Sequence, residues 1–201
     1  MKVTDALDQI ATIHEHLAKG EVYNGYRPAP VAISGVYGLL AAVLQAQFVA
    51  GDDPPSFVRY WLVVAVISAL VGGSVTIFNY LLRDDDFSRR RTRMVVAQFM
   101  PCLAAGGAVT TGLFLAGPGL IRFLPGLWAV LFSLGIFSSR PYLPRTAGWV
   151  ALFYLGAGFG LLCWAPEAMS MAGWGVGVTF GIGQFATALV LYRNLERETQ
   201  V

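Results

Sequence analysis

Charge is scarce in this chain, and it is missing where it would matter most. Lys, Arg, Asp and Glu make up 13% of the 201 residues, against about 25% in an average soluble domain. That deficit excludes an ordinary soluble globule. No Asp, Glu, Lys or His falls in the middle of any long apolar stretch. An ionisable group in hydrocarbon is costly, so where one occurs it marks function. Its absence argues against a proton-coupled transporter with a midplane carboxylate and against an intramembrane protease with paired aspartates. Histidine is limited to His14 and His16, outside those stretches, which leaves an embedded haem without ligands. Cysteine is limited to Cys102 and Cys163. Both fall in apolar stretches at different depths and read as small packing residues, so no disulfide between them is expected. There is no Ser-His-Asp or Cys-His arrangement, no phosphate-cradling glycine loop and no nucleic-acid signature. The expectation is of no catalytic residue, no resident metal, no cofactor and no nucleic-acid partner.

What the chain has instead is six long apolar stretches. Hydrophobic residues make up 56% of it and the mean hydropathy is +0.59. A membrane crossing needs about 20 apolar residues, and each crossing must be a helix, because only a helix satisfies its own backbone where there is no water. The stretches run about Val31–Ala50, Trp61–Leu82, Met94–Ala116, Ile121–Ser138, Thr146–Trp164 and Met169–Tyr192. Pro28 and Pro30 precede the first. GDDPP (Gly51–Pro55) ends it, since proline cannot continue a helix and the aspartates need water. Pro101 predicts a kink in the third, and Gly117–Gly119 a tight turn after it. The expected fold class is therefore all-α, a polytopic membrane protein with a bundle of six transmembrane helices. Residues 1–27 form an N-terminal cytoplasmic segment, 28–192 the membrane domain and 193–201 a polar helical tail.

Orientation follows from the basic residues, which stay on the cytoplasmic side. Twelve of the 14 fall on one side: Lys2, Lys19, Arg27, Arg83, Arg89, Arg90, Arg91, Arg93, Arg140, Arg145, Arg193 and Arg197. Only Arg59 and Arg122 fall on the other. Both termini are thus expected in the cytoplasm. Trp61, Trp164, Trp174 and Trp128 fall near the outer ends of the crossings, and Trp149, Tyr80, Tyr142 and Tyr192 near the inner ends, as interfacial aromatics do. The first 27 residues hold Asp5, Asp8, Glu15 and Glu21 and no apolar core, so they do not read as a signal peptide. Val3, Leu7, Ile10, Ile13 and Leu17 recur at helical spacing there. Thr4–Lys19 reads as an amphipathic helix on the inner membrane surface, or alternatively one packed on the cytosolic loops or a partner.

Small residues at four-residue spacing let helices approach closely in lipid. The clearest run is Gly173, Gly177 and Gly181 on the sixth crossing, with Gly156 and Gly160 on the fifth. Ala104, Ala108 and Gly112 (third), Ala65, Ala69 and Gly73 (second) and Ser34, Gly38 and Ala42 (first) repeat the theme. These stripes serve packing within the bundle or contact with another membrane protein or a second copy. LWAVLFSLG (Leu127–Gly135) echoes GWVALFYLG (Gly148–Gly156), an internal likeness on which no repeat is built.

Uncharged polar groups do enter the crossings. Gln45, Gln98 and Gln184 are the largest, joined by Asn79, Thr110, Thr111, Thr179 and Tyr154. They serve interhelical hydrogen bonds or line a pocket for a small ligand, and Gln98, Gln184 and Tyr154 are the candidates for such a pocket. Two residues apart on a helix point about 200° from each other, so His14 and His16 do not share one ion. Asp84–Asp86, followed by Arg89, Arg90, Arg91 and Arg93, carry two readings. The aspartates could hold magnesium at the membrane surface, although prenyl-transfer chemistry needs a second such motif. The plainer reading is a self-neutralising loop whose four arginines anchor to anionic lipid at the cytoplasmic face. The closing ETQV has the form of a C-terminal carboxylate motif.

Leu124–Arg145 (LPGLWAVLFSLGIFSSRPYLPR) and Leu191–Glu198 (LYRNLERE), together 30 of the 201 residues, resemble segments of uncharacterised bacterial multi-pass membrane proteins. The resemblance implies a bacterial inner membrane and carries no activity, cofactor or site residue with it. The functional expectation is a non-enzymatic accessory or scaffolding subunit, or a membrane-resident regulator. The alternatives are binding or transport of a small apolar or neutral molecule between the helices, and a metal-dependent enzyme at the cytoplasmic face.

Overall fold

The computed structural model describes residues 28–49, 51, 53–82 and 86–199. The amphipathic helix expected over Thr4–Lys19, the pair His14 and His16, and Asp84 and Asp85 lie outside the described residues. Among the described residues six α-helices follow in order: α1 (Pro28–Phe48), α2 (Pro54–Leu82), α3 (Asp86–Ala116), α4 (Leu124–Ser139), α5 (Ala147–Trp164) and α6 (Met169–Thr199). Short 3₁₀ segments, Pro118–Phe123 and Arg140–Tyr142, flank α4. All six spans are long and apolar enough to cross a membrane. Consecutive helices run antiparallel, and α1 closes against α6. Among the described residues Arg89, Arg90, Arg93, Arg140, Arg145 and Arg193 therefore share one end of the bundle, the basic face.

Three helices begin earlier than their apolar stretches, for a common reason. The first turn of a helix has N–H groups with no partner, so proline costs nothing there and polar side chains can cap. Pro28 and Pro30 sit in the first turn of α1 instead of preceding it. In α2 the segment that reads as a helix stop is also a helix start. Asp53 precedes Pro54 and Pro55, and its Oδ2 accepts the Ser56 N–H at 3.0 Å. The Ser56 hydroxyl and N–H hold the Asp53 carboxyl below its ordinary carboxylate range, with Arg59 adding attraction. α3 starts at Asp86, so Arg89–Arg93 lie on the helix and not in a loop.

Two turns need unusual backbone. Gly51 (φ 61°) and Gly117 (φ 146°) occupy regions that a side chain disfavours. The tight turn expected at Gly117–Gly119 is extended by the 3₁₀ segment, so α4 starts at Leu124. α5 ends on Ala165 at φ 36°, ψ 62°, with its N–H donated to the Leu161 carbonyl. Left-handed backbone costs a residue with a Cβ about 1 kcal/mol. Ala165→Gly is accordingly expected to raise stability by about 0.5 kcal/mol, after the loss to the unfolded chain's entropy, read as a higher midpoint in detergent unfolding.

Candidate functional site

The tightest seam joins α1 to α6. A methyl on Gly177 would meet the Ala42 Cβ and, at 2.8 Å, the Gly38 carbonyl oxygen. On Gly181 it would stand 2.6 Å from Leu39, and on Gly35 3.1 Å from both the Gln184 Cβ and the Gly181 carbonyl oxygen. The two backbones can approach this closely only because both stripes lack side chains, which is how packing replaces hydrophobicity in lipid. The stripe Gly173, Gly177, Gly181 is thus occupied within the chain. Gly173 makes room for Gln45, whose amide would meet any Cβ there. Gln45 is buried; its Nε2 donates to the Met169 carbonyl at 2.9 Å. Its Oε1 accepts the Trp61 indole N–H at 2.7 Å. Tyr60 donates to the Ala41 carbonyl at 2.6 Å. One glutamine therefore ties α1, α2 and α6 together at the end opposite the basic face. Trp61, expected as an interfacial aromatic, is 4% exposed: its indole N–H has a buried partner, so it gains nothing from the interface.

A second seam joins α4 to α5. Gly126 and Gly158 face each other so that a Cβ on either would meet the other's carbonyl oxygen at 2.8–2.9 Å. The Ser133 hydroxyl donates to the Ala151 carbonyl at 2.7 Å. The close approach on α5 is made by Gly158 and not by Gly156 and Gly160, which meet nothing within 4 Å. Beside this seam lies an aromatic cluster. Phe132 of α4 contacts Phe99 of α3 (5.2 Å), Tyr154 of α5 (4.8 Å) and Phe180 of α6 (5.4 Å). Tyr154 is fully buried in it, and its hydroxyl donates to the Phe180 carbonyl across a long 3.5 Å. Gly183 leaves the space that its ring fills. So weak a bond makes the ring the important part. Tyr154→Phe is expected to change stability by less than about 0.5 kcal/mol, and Tyr154→Ala to cost about 3–5 kcal/mol, both measured by detergent unfolding.

The three pocket candidates serve separate contacts. Gln98 is exposed on α3, where the Ser138 hydroxyl reaches its carbonyl oxygen (3.1 Å) and its Oε1 (3.2 Å). Gln184 is half-buried on α6 beside Gly35 of α1. Tyr154 belongs to the aromatic cluster, whose rings run from α3 through α4 to α6. No constellation of the three is assembled.

Two helices are left nearly bare. Only 17% of the apolar window of α2 and 6% of that of α3 is buried, against 33–44% in the other four. α2 is held at its first turns, where Phe57 and Val58 are buried and Phe57 stacks on Trp128 (6.4 Å, 3° between planes). Trp128 in turn donates to Thr110 of α3 at 2.9 Å. Further along α2, Leu62, Val63, Val66, Ile67 and Leu70 are exposed. On α3, Ala104, Gly107, Ala108, Thr111 and Gly112 are exposed, and Gly106, Gly107 and Gly112 meet nothing within 4 Å. The stripes of the second and third stretches are therefore open, while those of the first and sixth fill each other.

On the basic face, Arg89 donates to the Leu81 carbonyl at 3.3 Å and so tethers the end of α2. Arg90 and Arg93 are exposed, and the side chain of Arg91 lies outside the described set. On the opposite face Arg122 pairs with Glu167 at 3.3 Å and lies over the Phe123 ring at 5.1 Å. This joins the two short connections there, but with Glu167 89% exposed it contributes under about 1 kcal/mol. Cys102 and Cys163 are free. Among the described residues no group of three or more His, Cys, Asp or Glu could hold a metal ion.

No protein-family model, curated protein or solved structure matches this chain. The arrangement must be read from its own chemistry. Sequence reasoning named Gln45 but missed its role as the three-helix tie. The signal was present: Gly38, Ala42 and Gln45 are spaced to share a helix face, and a glutamine on a close-packed face needs partners.

Proposed function

We propose that this chain is a non-enzymatic integral membrane protein of a bacterial inner membrane, with both ends in the cytoplasm, acting as an accessory or scaffolding subunit. Its partner would be another membrane protein held along the bare side of α2 and α3. One observation carries the reading. Four helices bury a third or more of their apolar windows against each other, whereas α2 and α3 bury far less and present open small-residue surface. In lipid such surface allows close backbone approach by a foreign helix. The basic face, with Arg90, Arg93, Arg140 and Arg145 exposed, suits an anionic leaflet, where each cation contributes about 1 kcal/mol. A small-molecule site between the third and sixth helices gains less support, because Gln98 and Gln184 serve separate contacts and Phe132 stands against both Phe99 and Phe180.

The test is photo-crosslinking in intact cells from single positions along α3. Ala104, Ala108 and Thr111 are expected to give one discrete adduct, with positions on the opposite side of the helix silent. Phe159, exposed on α5, is expected to give none. Equal labelling at all positions, or lipid adducts alone, would refute the scaffold.

A further inference from the structure

We propose that α2 is a hinged helix: its first turns are fixed to the bundle, and the arm beyond Gly72 and Gly73 swings, latched by Arg89. The fixed part is heavily tied. Phe57, Val58 and Trp61 are buried. The Trp61 indole donates to Gln45, and the Tyr60 hydroxyl donates to the Ala41 carbonyl of α1. The Phe57 ring stacks on Trp128 of α4. Beyond Trp61 that hold fades along the helix. Val64, Ser68 and Val71 are only half-buried, and no described side chain of α2 after Trp61 is buried. Past Gly73 the described side chains are exposed: Ser74, Ile77, Phe78 and Leu81. A segment with so little buried surface opens locally at low cost.

The transition falls on three consecutive residues that weaken a helix. Glycine is a poorer helix former than alanine. At Gly177 or Gly126 close packing explains its presence, but here it does not. A methyl on Gly72 would meet nothing within 4 Å, and one on Gly73 only Ile77 of its own helix, at 3.8 Å. The Ser74 hydroxyl donates back to the Val71 carbonyl at 2.7 Å, a bond that competes with the helix ladder and bends it. Glycine and serine together are where helices bend sharply. The far end of the arm meets α3 through Arg89, whose Nη2 donates to the Leu81 carbonyl at 3.3 Å. α3 itself is fixed one turn later, where Thr92 and Val95 are buried. An exposed bond to a fixed helix holds the arm in one position and lets it go at little cost. The hinge therefore opens and closes the space between the end of α2 and the rest of the bundle at the basic face.

Pulsed electron paramagnetic resonance on the full chain in lipid discs tests the hinge, with Cys102→Ala and Cys163→Ala to remove the native thiols. One spin label sits at Leu189→Cys, exposed on α6 between buried Ala188 and Leu191. The other sits either before the hinge, at Val63→Cys, or beyond it, at Leu81→Cys. The Leu81 pair is expected to give a distance distribution at least about twice as wide as the Val63 pair. Gly72→Ala with Gly73→Ala is expected to narrow it to the width of the Val63 pair, because alanine fits both sites and stiffens the helix. The Val63 pair is expected to keep its native distance in that variant, which shows that the fold is retained. Arg89→Gln is expected to widen the Leu81 distribution further and leave the Val63 pair unchanged. Equal widths for the two pairs in the native sequence would overturn the hinge. A Leu81 width that the two alanines leave untouched would overturn its assignment to the glycines, and an Arg89→Gln variant identical to the parent would overturn the latch. Failure of the crosslinks along α3 would leave these distances as they are, so the scaffold reading and the hinge fail separately.

Discussion

Gly177→Leu is expected to force α1 away from α6 and cost at least about 3 kcal/mol. A Cβ at that position already meets the Ala42 Cβ and the Gly38 carbonyl oxygen, and the Trp61 ring lies at 3.5 Å. Two of these neighbours are fixed to backbone and cannot swing aside, so the helices must separate. Separation forfeits the contact on which Gly35, Gly38, Gly173 and Gly181 also depend. Unfolding in detergent, followed by circular dichroism, should show an early transition. Gly156→Leu, whose site is open, should leave the midpoint nearly unchanged. The same pair separates the two uses of glycine stripes: a loss of partner crosslinking with an unchanged midpoint at Gly156 would put the docking contact on α5 and count against the α2–α3 surface.

The second large effect is expected at Gln45. Gln45→Leu keeps the volume but strands the Trp61 indole N–H and deprives the Met169 carbonyl of its side-chain donor. A buried donor left unsatisfied costs about 1–3 kcal/mol, and the branched leucine also presses on Gly173. A total loss of about 2–4 kcal/mol is expected. A cycle with Trp61→Phe isolates the glutamine–indole bond, with an expected coupling of about 1 kcal/mol. No coupling would mean that the two side chains stand together without holding each other.

The six long apolar helices were legible in the sequence because hydrocarbon would impose one demand at every point along a crossing, and runs of Val, Leu, Ala and Gly answer it plainly. Helix starts were less legible. GDDPP contains both a stop and a start, and the apolar count registers only the stop; Asp53 and the two prolines act through the empty first turn of α2. Stripes were legible as stripes, but their partners were not. Spacing says that Gly173, Gly177 and Gly181 share a face, while only the fold says that Gly35 and Gly38 lie against it. The α4–α5 contact escaped because it uses one glycine on each side, Gly126 and Gly158, with no repeat to notice. The pocket candidates were chosen for polarity alone, and polarity does not distinguish a residue facing a ligand from one, like Gln98, answering a neighbouring serine.

The pairing of α1 with α6 sets a schedule for biogenesis. Gln45 and its acceptor at Met169 are 124 positions apart. At translation rates of about 5–20 residues per second that interval lasts roughly 6–25 s. During it α1 carries a glycine groove and a glutamine amide still without their mates. A nascent chain halted before Met169 would display that unfinished surface to chaperones and proteases, so its survival waits on the arrival of α6.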